Sequence, residues 1–178
     1  MNGAMFVDGD NIWMHFKGFS KKIHLDEDIE WEDLFLALEM DGIDLIMKKF
    51  YIIPYALHPT AANNLMHLGF LVMPTEVFGD KPLTDNCILV DAMETLLTNP
   101  LDALIIVSGD KDYLPLARKA REKGLRVIFV AFEEDTAEIL KNEFEFIDLT
   151  PFVRLEVLME NDPTMSMGSA VSVEGDAL

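Results

Sequence analysis

The chain has 178 residues, of which 50% are apolar and 26% are charged, a composition typical of one globular domain with a buried core. Its formal net charge of −18 argues against loose, charge-driven binding to nucleic acid, which requires a basic surface. No apolar run approaches the ~18 residues of a membrane span, the acidic start is not a secretory signal, and the one cysteine, Cys87, excludes an internal disulfide, which together predict a cytoplasmic protein without a membrane partner.

The first half of the chain alternates between apolar runs and helical periods. The apolar run 4–7 predicts a buried strand that ends at Asp8. The spacing of Trp31, Leu34 and Leu38 predicts a helix with acidic residues near its start, where they suit the helix dipole. A strand, a short helix and another apolar run are then predicted at 49–55, 60–67 and 70–73.

The second half continues the alternation. Apolar residues at helical spacing predict an amphipathic helix over 84–96, which Thr84 or Asp85 is expected to cap. The run 103–107 predicts a buried strand, and a helix after it is expected to stop at Gly124. A strand, a helix and a last short strand are predicted at 125–132, 136–144 and 146–149.

This alternation of strands and helices predicts βαβ units around a mainly parallel sheet. The expected fold class is therefore α/β, with a mainly parallel central sheet flanked by helices. A single domain is expected over 1–160. The pattern dissolves into small and polar residues after it, so 161–178 is predicted to be a disordered tail.

Two acidic motifs follow predicted strands. VDGDN carries Asp8, VSGDKDY carries Asp110 and Asp112, and Asp85 starts the helix between them. Because ligands of parallel sheets bind beyond the carboxyl ends of the strands, these four acids are expected to converge there. Carboxylate oxygens suit Mg²⁺ or Mn²⁺, and an ion so held supports phosphoryl transfer. All four are predicted to be both metal ligands and catalytic residues.

The acids also have simpler structural interpretations, which the sequence leaves open. Asp85 and Asp112 are alternatively helix caps, 8–11 is alternatively an ordinary turn, and Asp10 is expected to be solvated. Asp91 lies six residues past Asp85, about 120° round the helix, which makes it a poorer candidate for a direct ligand.

The motifs resemble those of a known family. FVDGDN at 6–11 and IIVSGDKDYLPLARKAREKGLRVIFVAF at 105–132 are similar to the NYN domain, a branch of the PIN-like nucleases. The stretch TDNCILVDAMETLL at 84–97 resembles the intervening helix of that family. The most specific part is SGDKDYLPL at 108–116.

The resemblance implies a three-layer Rossmann-like (PIN-like) fold with an acidic Mg²⁺ or Mn²⁺ site that cuts RNA. Single-stranded RNA is the expected partner. By match, Asp8, Asp85, Asp110 and Asp112 are the acids of that site. Asn11 is expected to be a polar site residue and Ser108 to orient ligands or substrate.

Basic residues are concentrated near the second motif. The stretch 108–126 holds six basic residues and three acidic ones, although the chain as a whole is acidic. Lys111 lies inside the motif and is predicted to contact substrate phosphate. Arg118, Lys119, Arg121 and Arg126 could also contact a phosphate backbone but are interpreted as solvated surface charge.

Three functions are compatible with these features. A metal-dependent ribonuclease is the leading one. A haloacid-dehalogenase-like phosphatase would use the Asp-x-Asp motif Asp8-Gly9-Asp10, but Ser108 and Asp110 share one strand end, where that fold needs two. A non-catalytic module of the same fold that binds RNA or protein is favoured by the net charge. A homodimer through an apolar helix face is also open.

Overall fold

The computed structural model describes residues 1–20, 22–58, 60–79 and 81–161. The predicted C-terminal tail therefore lies outside the described residues, apart from Asn161, which ends the last helix. Eight strands are present in this part of the chain: β1 Asn2–Asp8, β2 Asp44–Ile52, β3 Leu71–Pro74, β4 Val77–Phe78, β5 Lys81–Pro82, β6 Ala103–Val107, β7 Arg126–Ala131 and β8 Glu145–Asp148.

Helices connect the strands. None of the helices within the described ranges has both the length and the hydropathy needed to cross a bilayer. Short 3₁₀ helices also occur, and the one at Lys111–Tyr113 directly follows β6. The α-helices are α1 Gly9–His15, α2 Trp31–Met40, α3 Ala61–His67, α4 Thr84–Thr98, α5 Leu114–Glu122, α6 Glu138–Glu143 and α7 Leu155–Asn161.

Six strands form one parallel sheet in the order β3-β2-β1-β6-β7-β8. The strand order reverses between β1 and β6, and in such sheets ligands bind in the crevice at this reversal. β1 pairs with β6 from Gly3↔Ala103 to Val7↔Val107, so the two strands end level with each other. The predicted α/β, mainly parallel fold is confirmed.

Helices cover both faces of the sheet, which makes three layers. The side chains of Met5 and Val7 lie in one core cluster, which includes apolar residues of α1, α2, α3 and α7. Those of Ala4 and Phe6 point to the opposite face, against α4, α5 and α6. All five residues of β6 are buried because a parallel strand covered on both faces has no solvated side.

Several element boundaries differ from the prediction. β2 begins at Asp44 and not at 49, and the helix predicted over 136–144 is the shorter α6. The prediction that Thr84 or Asp85 caps α4 is wrong. The N-cap residue is Leu83, and no side-chain hydrogen bond caps this helix. Both predicted caps lie in the first turn of the helix.

The short α1 and the β4–β5 hairpin were not predicted. Neither shows enough periodicity to be recognised, because α1 has seven residues and each hairpin strand has two. The helix α7 was also not predicted.

Gly9 makes the turn from β1 into α1 possible. A Cβ atom at this position would lie 2.6 Å from Cε1 of Phe50 and 2.7 Å from the carbonyl oxygen of Tyr51. Such contacts are shorter than van der Waals distances, and backbone cannot move aside cheaply. The turn thus brings the start of α1 directly against β2.

We predict that Gly9→Ala lowers the free energy of unfolding by about 2–3 kcal/mol, because the added methyl group overpacks this junction. Urea denaturation followed by circular dichroism measures the change. Gly18→Ala is the matched control, since a Cβ at Gly18 meets nothing within 4 Å. Equal stability of the two variants would contradict the close packing of the β1–α1 turn.

Candidate functional site

Three carboxylates meet beside the reversal of strand order. Asp85 lies in the first turn of α4, and Asp110 and Asp112 follow β6. One carboxylate oxygen from each lies within 4.8 Å of the other two. Asp85 and Asp110 are half-buried and Asp112 is exposed, so the group faces solvent on one side. We call these three residues the acid cluster.

The turn after β6 places two members of the acid cluster on the same side. The backbone N–H of Asp110 donates to Oγ of Ser108 at 3.2 Å, and the backbone N–H of Asp112 donates to Oδ1 of Asp110 at 2.9 Å. Asp110 therefore caps the 3₁₀ helix Lys111–Tyr113. The interpretation of Asp112 as the helix cap is wrong, since its own amide is the capped group.

Asp8 lies behind the acid cluster and is only 2% exposed. Its Oδ1 accepts from the backbone N–H of Asn11 at 2.9 Å, and its Oδ2 accepts from the hydroxyl of Tyr113 at 2.8 Å. The same hydroxyl lies 3.1 Å from Oδ1 of Asp85. Tyr113 thus stands between two acids that the sequence placed in one site, and nothing in the sequence pattern singled it out.

Burial controls the ionisation of this buried pair. It raises the pKa of Asp8 to about 7, although hydrogen bonds from Asn11 and Tyr113 favour the carboxylate and partly oppose this effect. The negative charge of Asp85 raises the pKa of Asp8 further. Burial and the two neighbouring acids also raise the pKa of Tyr113 far above its ordinary value, so its hydroxyl stays protonated and serves as a donor.

Asn11 and Asp10 connect α1 to the neighbouring elements. Oδ1 of Asn11 accepts from the backbone N–H of Gly109 at 3.1 Å, which ties the turn after β1 to the turn after β6. Oδ1 of Asp10 accepts from the backbone N–H of Ile53 at 3.1 Å, and its Oδ2 accepts from the hydroxyl of Thr84. The expectation that Asp10 is solvated is therefore wrong. It fixes the start of α4, next to Asp85.

Asp91 belongs to a separate ion pair. Its carboxylate lies 2.6 Å from Nζ of Lys49 and also accepts from the hydroxyl of Tyr51. Burial, together with the charge of Asp91, raises the pKa of Tyr51 above its ordinary value. The side chain of Asp91 therefore binds residues of β2 and is not a member of the acid cluster.

The basic stretch at 108–126 is largely neutralised by the fold. Arg118 and Arg121 pair with Glu143, and Lys119 pairs with Glu122. Arg126 pairs with Asp41 and Glu145 in the same way. Lys111 is exposed, and across the described ranges no carboxylate lies within ion-pair distance of it.

The acid cluster fits a hard divalent cation. Its donors are all carboxylate oxygens, which Mg²⁺ and Mn²⁺ prefer. Oxygen ligands at about 2.1 Å from an octahedral ion lie about 3–4 Å from each other, a spacing comparable with that of the three oxygens, which lie within 4.8 Å of one another. No lysine or arginine of the described residues forms an ion pair with Asp85, Asp110 or Asp112, so the three carboxylates have no basic partner there.

Comparison with known proteins supports the same fold. A family model described as the NYN domain matches residues 2–150. An uncharacterized protein of Methanocaldococcus jannaschii is 28% identical over 144 residues, which cover 81% of this chain and 53% of that protein. The chain thus spans about half the length of this curated relative. The crystal structure of a protein of unknown function from Vibrio parahaemolyticus superposes with a TM-score of 0.66 at 19% identity, covering 83% of this chain and 92% of that one.

The raised pKa of Asp8 predicts a specific pH dependence of stability without metal. Between pH 3.8 and about 7 the folded state keeps a proton on Asp8 that the unfolded state releases, so its contribution is fully present below this window and falls as pH rises through it. The total fall is at most about 4 kcal/mol. Asp8→Asn should lack this component.

Urea denaturation at several pH values in a chelating buffer tests this. The free energy of unfolding of the wild type, relative to that of Asp8→Asn, should fall as pH rises through that window. Parallel pH profiles for wild type and Asp8→Asn would show that Asp8 is ionised normally in the folded protein.

Proposed function

Because this chain belongs to the NYN domain family, a branch of the PIN-like nuclease superfamily, we propose that it is a metal-dependent ribonuclease. The reaction is the hydrolysis of a phosphodiester bond in RNA. The proposed cofactor is Mg²⁺ or Mn²⁺.

The observation that carries this proposal is the acid cluster at the reversal of strand order. Three carboxylates come within 4.8 Å of one another without a basic partner among the described side chains. Repulsion between close carboxylates destabilises the ionised forms unless a cation joins them. A site with these donors, open to solvent at Asp112, is suited to hold an ion against a phosphate.

In the proposed site, Asp85, Asp110 and Asp112 hold the ion. Bound there, the ion would lower the pKa of water and neutralise charge on the phosphate. Lys111, exposed between Asp110 and Asp112, contacts a nonbridging phosphate oxygen. The chain's own contribution is to hold these groups at fixed positions before substrate arrives.

In the proposed site, Asp8, Ser108 and Asn11 position the residues that hold the ion. Asp8 is the fourth acid and meets Asp85 through the hydroxyl of Tyr113, so in the proposed site it orients Asp85 through that hydroxyl. Ser108 and Asn11 fix the turn after β6 through the amides of Asp110 and Gly109. Such outer partners commonly change metal affinity 10–100-fold when removed.

A non-catalytic binding module is the second candidate function. Its support is the charge distribution, because the chain carries −18 overall and four of the six basic residues of 108–126 are ion-paired. A module of this kind would keep the fold and bind RNA or protein without cleaving it.

We predict that Asp110→Asn weakens metal binding and slows cleavage. The amide oxygen of Asn still accepts from the amide of residue 112 and preserves the cap, but the negative charge is lost. Titration calorimetry with Mg²⁺ and Mn²⁺ should show binding weakened by about tenfold or more. Cleavage of single-stranded RNA should slow by about 100-fold or more.

The matched control is Glu94→Gln, which removes one exposed negative charge from the same helix as Asp85 and should leave both measurements unchanged. Metal binding in the wild type without any RNA cleavage would favour the binding module. Equal metal binding by wild type and Asp110→Asn would contradict the shared site.

A further inference from the structure

The β4–β5 hairpin stands at the same edge of the sheet as the acid cluster. It connects β3, which ends at this edge, to α4, which starts there with Asp85 in its first turn. Asp85 lies only four positions after Lys81, so their Cα atoms lie at most about 14 Å apart. The hairpin is therefore a neighbour of the proposed metal site.

Hydrogen bonds join the two ends of the hairpin to each other and to the start of α1. The backbone N–H of Leu83 donates to the carbonyl of Glu76 at 2.9 Å, and the hydroxyls of Thr75 and Thr84 lie 2.8 Å apart. Thr84 in turn donates to Asp10. The base of the hairpin is thus fixed, although its two short strands lie outside the main sheet.

The hairpin presents an aromatic ring and a positive charge to solvent. Phe78 is 82% exposed, more than any other aromatic side chain among those described. Lys81 pairs with it directly across the two strands, is exposed, and has no ion pair in the part of the chain that the structure describes. Leaving a large apolar ring in water forgoes the stabilisation that burial provides, and the ring contributes to no core cluster.

The net negative charge of the protein bears on how it could bind nucleic acid. A net charge of −18 repels a polyanion, and the arginines of α5 are already paired with Glu143. Contacts that do not depend on charge are therefore expected to supply a large part of the affinity for nucleic acid. Stacking of bases on aromatic rings is such a contact, and it requires unpaired bases with free faces.

We propose that the β4–β5 hairpin is the substrate-binding element of the site. Phe78 stacks on a base of a single-stranded nucleic acid, and Lys81 contacts an adjoining phosphate. This inference rests on the proposed function and adds the residues that select a single strand. Cross-strand neighbours lie about 5 Å apart, which lets the two side chains contact one nucleotide and its phosphate.

Fluorescence anisotropy with a short labelled uridine oligonucleotide, in a chelating buffer and again with Ca²⁺, measures binding without requiring cleavage. We expect Phe78→Ala to weaken binding roughly tenfold or more and Phe78→Trp to retain it. Lys81→Ala should weaken binding and lower the salt slope by about 1. An abasic oligonucleotide of equal length should bind the wild type no better than the uridine oligonucleotide binds Phe78→Ala.

Met40→Ala is the matched control, because Met40 is also 82% exposed but ends α2 at the opposite edge of the sheet. It should bind the oligonucleotide as the wild type does. Because Phe78 is outside the core, its substitution should leave the thermal midpoint of unfolding unchanged.

Three results would overturn the inference. The first is unchanged oligonucleotide binding in Phe78→Ala, and the second is absence of binding in the wild type under both conditions. The third is self-association of the wild type, measured by sedimentation, that is lost in Phe78→Ala, because Phe78 would then be a contact between two copies of the chain. The proposed function fails differently, through absence of metal-dependent cleavage in the wild type, and that result does not alter the anisotropy comparison.

Discussion

The parallel pairing of β1 with β6 is the constraint on which the rest of the site depends. Because Val7 is level with Val107, the two strands end together and the chain leaves each of them at the same edge. The following helices then pack on opposite faces of the sheet. This separation opens the crevice in which Asp8, Asp110 and the start of α4 meet, as expected where strand order reverses.

The fold satisfies the acids of this crevice with neutral donors and places its cations elsewhere. Asp8 accepts from an amide and a hydroxyl, and Asp110 accepts from an amide. These hydrogen bonds lower the cost of burial but leave the negative charge in place. Lys49 neutralises Asp91, and the arginines of α5 and β7 pair with other acids. The acid cluster therefore has no basic partner among the described side chains and is compatible with a metal site.

Much of the fold was predictable because it depends on local composition. The run 103–107 is entirely apolar since β6 is covered on both faces, and the helical spacing after Thr84 reflects one face of α4 packed on the sheet. The start of β2 was missed because residues 44–48 are exposed or only partly buried and carry Asp44 and Lys48, so the strand pattern is weak there. The hairpin was missed because two residues per strand contain no period.

The sequence by itself determined the order of the elements and the edge of the sheet at which the acids gather, because strand and helix periodicities and the rules of parallel connections are local. Only the tertiary structure decided that Asp85, Asp110 and Asp112 form one cluster while Asp8 stands behind Tyr113. The Tyr113 hydroxyl contacts residues 105 and 28 positions away. Contacts of that kind depend on strand register and on the rotation of α4 against the sheet, and neither is encoded in a short stretch of chain.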